Sequence, residues 1–223
     1  MTLSRAQIHF DEARIRHAAD LEKMMSREFG EAAQAALAHY TANQLPTGRK
    51  RVRTALDGLA KDMWYSAATW HFADVLASAP SPPDVYVYHF TQKVHQCAVP
   101  CLPKMAWHGC DTPFWNGEEP VRPRECDAHR HPRPSASPLG RTMVEYLLRF
   151  AATGSPNGPG LPAWDAHRQG ESGRCMQLGA SIGMVDLPET EVERHDLVAR
   201  EWFGKRLKTE LRRGEEQEVG ASR

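Results

Sequence analysis

The order of elements predicts an α/β chain with an incomplete sheet and packed helices. Apolar residues recur at helical spacing through the first forty residues and again from about Thr54 to Leu76. Val85-Tyr-Val-Tyr-His-Phe90 is short, β-branched and aromatic, with proline before it, and reads as the best strand. Beyond it the pattern runs long loop, helix, short strand, helix. That leaves too few strands for a complete sheet, although 223 residues suffice to bury a sizeable core.

In the first segment Ile8, Ile15, Leu21, Met24, Met25, Phe29, Ala33 and Leu37 form the apolar set, and Gly30 divides it into two helices. Gln44–Arg53 reads as a turn followed by a basic cluster. The next helix carries Leu56, Leu59, Met63, Ala67, Trp70, Ala73 and Leu76, and the prolines of Ser78–Asp84 stop it. After the strand, Thr91 to Pro138 is irregular and rich in Cys, His, Pro and Trp. A stretch of that length in a compact domain signals function or disorder. Leu139–Thr153 is a helix with Met143, Val144, Leu147, Leu148 and Phe150 as its apolar set and Gly154 just past its end. Cys175–Leu178 reads as a short strand. Glu189–Arg213 reads as a charged helix with a break at Gly204, and 214–223 as a disordered tail. Residues 1–213 are expected to form one partial domain.

Composition narrows the function. Lys and Arg total 28, as do Asp and Glu, so no net field draws nucleic acid. No apolar run reaches the length of a membrane span, so no membrane association is expected. Met1–Phe10 has no apolar stretch of the signal-peptide kind, and no compartment is implied. Five cysteines cannot all pair within one chain.

Two segments carry more information. Ala106–Gly117 reads AWHGCDTPFWNG, and Leu147–Trp164 reads LLRFAATGSPNGPGLPAW. In this order they resemble the C-terminal part of the type-B carboxylesterase/cholinesterase family of α/β hydrolases. That family's His-Gly-x-Glu/Asp-x-x-Phe segment matches His108-Gly109-Cys110-Asp111-Thr112-Pro113-Phe114. Its Phe-Ala-x-x-Gly-x-Pro-Asn segment matches Phe150 to Asn157, with Trp164 following. Arg27–Tyr40, Asp62–Ala77, the Val85–Phe90 strand and Cys175–Val185 agree more weakly. Asp165 stands where the family has proline after the tryptophan, and the segment between Asn116 and Leu139 is unlike the family.

The resemblance implies the C-terminal part of an α/β-hydrolase fold, an ester substrate, no cofactor, and His108 as catalytic histidine. Ester hydrolysis on this fold needs a serine on a strand-turn-helix elbow, an oxyanion hole, a histidine and an orienting acid, in the order serine, acid, histidine. Nothing upstream of His108 has the Gly-x-Ser-x-Gly pattern. The literal match at Gly179–Gly183, with Ser181 at its centre, follows the histidine and precedes no helix start, so it reads as coincidence. Gly170–Gly173 lacks the final glycine. Asp11-Glu12-Ala13 lies where the family's acid segment would, but on a helical pattern with alanine in place of glycine. The implied chain therefore supplies the histidine and is inactive alone. The alternative is a non-catalytic, cholinesterase-like interaction module. Either way, uncovered apolar faces imply a protein partner or aggregation.

Two smaller readings complete the set. Cys97, Cys101, His108, Cys110, Cys126, His129 and His131 are zinc-type ligands at irregular spacing, without a Cys-x2-Cys pair; a Cys97–Cys101 disulfide is the competing use. Arg49-Lys50-Arg51-Val52-Arg53 reads as a solvated helix start rather than a phosphate contact.

Overall fold

The structure is a computed structural model, and it describes residues 15–41, 48–94, 106, 108–117, 137–171 and 173–204. The chain divides into two compact units, one spanning residues 73–187 and one formed by 2–72 together with 188–223.

The second of these is helical. Helix α1 (Ala18–Phe29) buries Leu21, Met24, Met25 and Phe29, one stripe at helical spacing. Its start is held by Asp20, whose carboxylate accepts the Arg16 and His17 backbone N–H groups at 3.0 and 2.9 Å. Those bonds hold the Asp20 carboxyl below its usual range. The chain turns through a 3-10 segment, Gly30–Ala32, into α2 (Ala33–Thr41), as the glycine break predicts. Helix α3 (Arg49–Lys61) begins five residues before the expected Thr54, and Arg49, Lys50, Arg51 and Arg53 at its start are exposed. It buries Val52, Ala55, Leu56, Leu59 and Ala60. A π-helical turn, Asp62–Ser66, joins it to α4 (Ala67–Ala77). Helix α7 (Glu189–Val198), followed by a second π-helical turn (Ala199–Phe203), adds Leu197, Val198 and Trp202 to the same core.

Asp62 is fully buried in this unit. Its carboxylate accepts the Tyr40 hydroxyl at 3.0 Å and the Arg194 Nε–H, with Lys61 Nζ and His195 Nε2 each 3.4 Å away. Burial alone would raise its pKa, but His195, Lys61 and Arg194 outweigh burial and hold it at about 2. Glu191 sits on the rim of the cluster, bonded to Lys61 at 3.2 Å and Arg194 at 3.4 Å.

A depressed carboxyl pKa stabilises the folded state above the ordinary value of 3.8, and that stability is lost as pH falls through about 2. We expect the helical unit to lose roughly 2 kcal/mol across this window. Denaturant titrations at pH 5, 3 and 2, followed by helical circular dichroism, check this. Asp62→Asn should flatten the acid slope, and an unchanged slope would show that other carboxylates set it.

The other unit holds the sheet. Strand β1 (Tyr88–Phe90) pairs in parallel with β2 (Arg174–Leu178), which pairs antiparallel with β3 (Ile182–Asp186). The order is β1-β2-β3, with Tyr88 opposite Met176 and Met176 opposite Met184. The predicted strand over Val85–Phe90 is shorter as a ladder, because Val85 instead forms an isolated antiparallel bridge with His167. Helix α5 (Thr112–Trp115) is a single turn, and α6 (Pro138–Thr153) ends at Gly154, which takes φ +78° and donates its N–H to Phe150 O at 2.8 Å. Phe114, Leu139, Met143, Tyr146, Trp164, Met176 and Leu178 form the core of this unit.

The loop after α6 is built around Asn157. Its side chain accepts the Trp164 N–H at 2.7 Å and donates to Trp164 O at 2.8 Å, closing residues 157–164 into a ring. Trp164 is thereby set edge-on against Tyr86, Tyr88 and Tyr146, with Nε1–H donated to Val87 O at 3.2 Å. The Pro-Asn and Trp of the family-like motif thus act here as a structural clamp. His167 ties the same loop to α4, with Nε2 2.8 Å from Asp74 Oδ1 and its backbone N–H donated to Val85 O at 2.7 Å.

The expected tail 214–223 and the Asp11-Glu12 segment lie outside the described residues.

Candidate active site

His108 stands in a turn, His108–Asp111, that leads directly into α5. Gly109 takes φ +80°, a backbone conformation costly for other residues, and so sets the turn. Cys110 and Phe114 on its far side are buried in the strand unit's core. Asp111 accepts the Tyr88 hydroxyl of β1 at 2.7 Å, and Trp115 Nε1–H is donated to the same phenol oxygen at 3.2 Å. The Asp111 backbone carbonyl accepts the N–H groups of Phe114 and Trp115 at 2.9 and 3.2 Å. His108 is exposed. The turn is therefore anchored by its neighbours while presenting the imidazole to solvent.

Burial raises the Tyr88 phenol, and the Asp111 carboxylate adds to it, together pushing it up to about 12. Tyr88 thus stays a hydrogen-bond donor at neutral pH. The sequence reading took Tyr88 for an ordinary strand residue. The sequence signal for it is the Tyr86/Tyr88 alternation, which sets both rings against Trp164.

The other candidates fall elsewhere. Ser181 lies in the hairpin turn between β2 and β3. A nucleophile elbow requires a strand-turn-helix junction, so the literal Gly-x-Ser-x-Gly has the wrong backbone for one. Among the described residues no cluster of three or more His, Cys, Asp or Glu could hold a metal ion. Of the zinc-type ligands, His108 and Cys110 are described, with Cys110 buried; Cys97, Cys101, Cys126, His129 and His131 lie outside the described residues. No helix among the described residues is long and apolar enough to cross a membrane.

A histidine-bearing turn hung on a mixed sheet, with helices packed around it, matches part of an α/β-hydrolase fold. The carboxylesterase EST55 of Geobacillus stearothermophilus superposes with a TM-score of 0.54 at 23% identity, over 79% of this chain and 34% of that one. An esterase from Clostridium hathewayi aligns over 87% of this chain and 34% of its own, at 20% identity and a TM-score of 0.42. Carboxylesterase 5A of Canis lupus familiaris is 47% identical, and that of Felis catus 46%, over 55 residues that make up 25% of this chain. That segment is 9% and 10% of those relatives, so this chain matches a small part of their length. The profile of the carboxylesterase family matches residues 3–193. The chain belongs to the carboxylesterase family.

Proposed function

We propose that this chain is the C-terminal portion of a carboxylic ester hydrolase and supplies its catalytic histidine, His108. The observation that carries this is the turn itself: an exposed imidazole on a segment fixed through Cys110, Asp111 and Phe114. In ester hydrolysis such a histidine takes the proton of the serine hydroxyl as the carbonyl is attacked. It returns that proton to the leaving alkoxide, then activates water to release the acid. The nucleophile and the oxyanion hole come from outside these 223 residues.

Labelling with a fluorophosphonate probe, read by intact and peptide mass, tests the reading. The 223-residue chain should form no serine adduct beside a labelled control esterase. A longer product that carries an upstream elbow serine should label there, and His108→Gln should slow that labelling at least about a hundredfold. Labelling indifferent to His108 would overturn the role. The exposed Leu147, Leu148 and Phe150 of α6 favour a second reading, a non-catalytic interaction module. A longer product that never labels would support it.

A further inference from the structure

We propose that Tyr88 is a positioning residue for His108, its hydroxyl tying the histidine turn to strand β1 through Asp111. The histidine's role rests on the function proposed above; the tie itself does not.

Tyr88 is fixed at both ends. Its backbone is in the sheet, in register with Met176. Its ring lies edge-on to Trp115 at 5.3 Å and to Trp164 at 6.3 Å between centroids. Its hydroxyl gives its one proton to Asp111 Oδ2 and takes the Trp115 indole N–H. The phenol therefore bridges the first and last residues of one tight loop, Asp111 and Trp115, and its own place is set by the sheet. Asp111 is three residues from His108, with the left-handed Gly109 between them.

A second consequence concerns charge. Asp111 is the carboxylate nearest His108 in sequence. With Oδ2 engaged by the phenol, it is held toward β1 as an anchor. Removing the hydroxyl would loosen the turn and also free Oδ2 of a carboxylate three residues from the histidine.

The test uses the full 223-residue chain and Tyr88→Phe, which keeps the ring and deletes the hydroxyl. Amide hydrogen exchange at Thr112, Phe114 and Trp115 should accelerate about tenfold, while Met176 and Leu178 keep wild-type protection. Asp111→Ala should reproduce part of the effect, and the double variant should go no further than Tyr88→Phe, since the phenol–carboxylate bond is lost in both single variants and only Tyr88→Phe also loses the Trp115 bond. Asp111→Asn keeps an acceptor oxygen and should restore most of the protection. The His108 imidazole resonances should shift in Tyr88→Phe and Asp111→Ala and return toward wild type in Asp111→Asn, a response that plain loss of packing does not produce. Additive single effects, equal loss of protection in β2, or unmoved His108 signals would each overturn the proposal. These readings need no nucleophile, so they stand or fall separately from the labelling experiment.

Discussion

Arg194→Ala should cost the helical unit about 3 kcal/mol, because it leaves Asp62 buried without its hydrogen-bonded guanidinium. Arg194 does three things in one place. Its Nε–H is donated to Asp62, its Nη2 lies 3.4 Å from Glu191 Oε1, and its guanidinium sits 5.6 Å from the Tyr40 ring centroid. Lys61 and His195 remain near the carboxylate, but half of the Lys61 side chain is solvated and neither supplies a planar fork. Arg194→Lys should recover only part of the loss. The double variant Asp62→Asn/Arg194→Met should recover more than either single change, since the isolated buried charge is then absent. Guanidinium unfolding followed at 222 nm reads all three against the wild type. A loss below about 1 kcal/mol in Arg194→Ala would mean the cluster is hydrated enough to need no counter-ion.

Trp164→Ala should have a comparable effect in the strand unit, about 3–5 kcal/mol. Trp164 is 4% exposed and contacts three tyrosine rings, and its indole N–H also bonds to Val87 O beside β1. Cutting it to alanine leaves a cavity bounded by rings that cannot collapse, since Tyr146 is itself pinned to Pro162 O at 2.7 Å. Trp164→Phe keeps an aromatic ring and most of the volume without the N–H and should lose less, about 1–2 kcal/mol. Near-ultraviolet circular dichroism reports the ring cluster directly, and denaturant unfolding gives the free energy. Equal stability of the alanine and phenylalanine variants would show that volume is not what the site requires.

The helices were the legible part of this fold. Helix α6 has a sustained apolar stripe and a glycine stop, and both ends lie within a residue of expectation. Gly30 was legible as a break because only a local conformation was needed there. The strands were harder. Val85–Phe90 looks uniform in sequence, yet only Tyr88–Phe90 meets β2, and Val85 meets His167, a difference set by residues far along the chain. Strand β3 passed unread as a separate element, since Ile182-Gly-Met-Val-Asp contains a glycine and is half-buried, so it has neither a continuous apolar run nor clean alternation. Asp62 looked like one more helix acid, because its burial depends on Arg194, 132 residues away. At the candidate site His108 was legible only through the motif around it. The Tyr88–Asp111 bond crosses 23 residues, and no spacing rule announces it.

The division of the chain into 73–187 and 2–72 with 188–223 has a consequence for biosynthesis. The sheet-bearing stretch is contiguous, so every one of its residues is translated before Arg194 and His195 are. Helices α1, α2 and α3 are translated before that stretch, so they wait longer for the residues of α7 that complete their core. Until α7 arrives, Asp62 lacks the Arg194 guanidinium, and the core of α1, α2 and α3 lacks Leu197, Val198 and Trp202. Charge pairing across 132 residues thus makes α7 the latch that ends that waiting period.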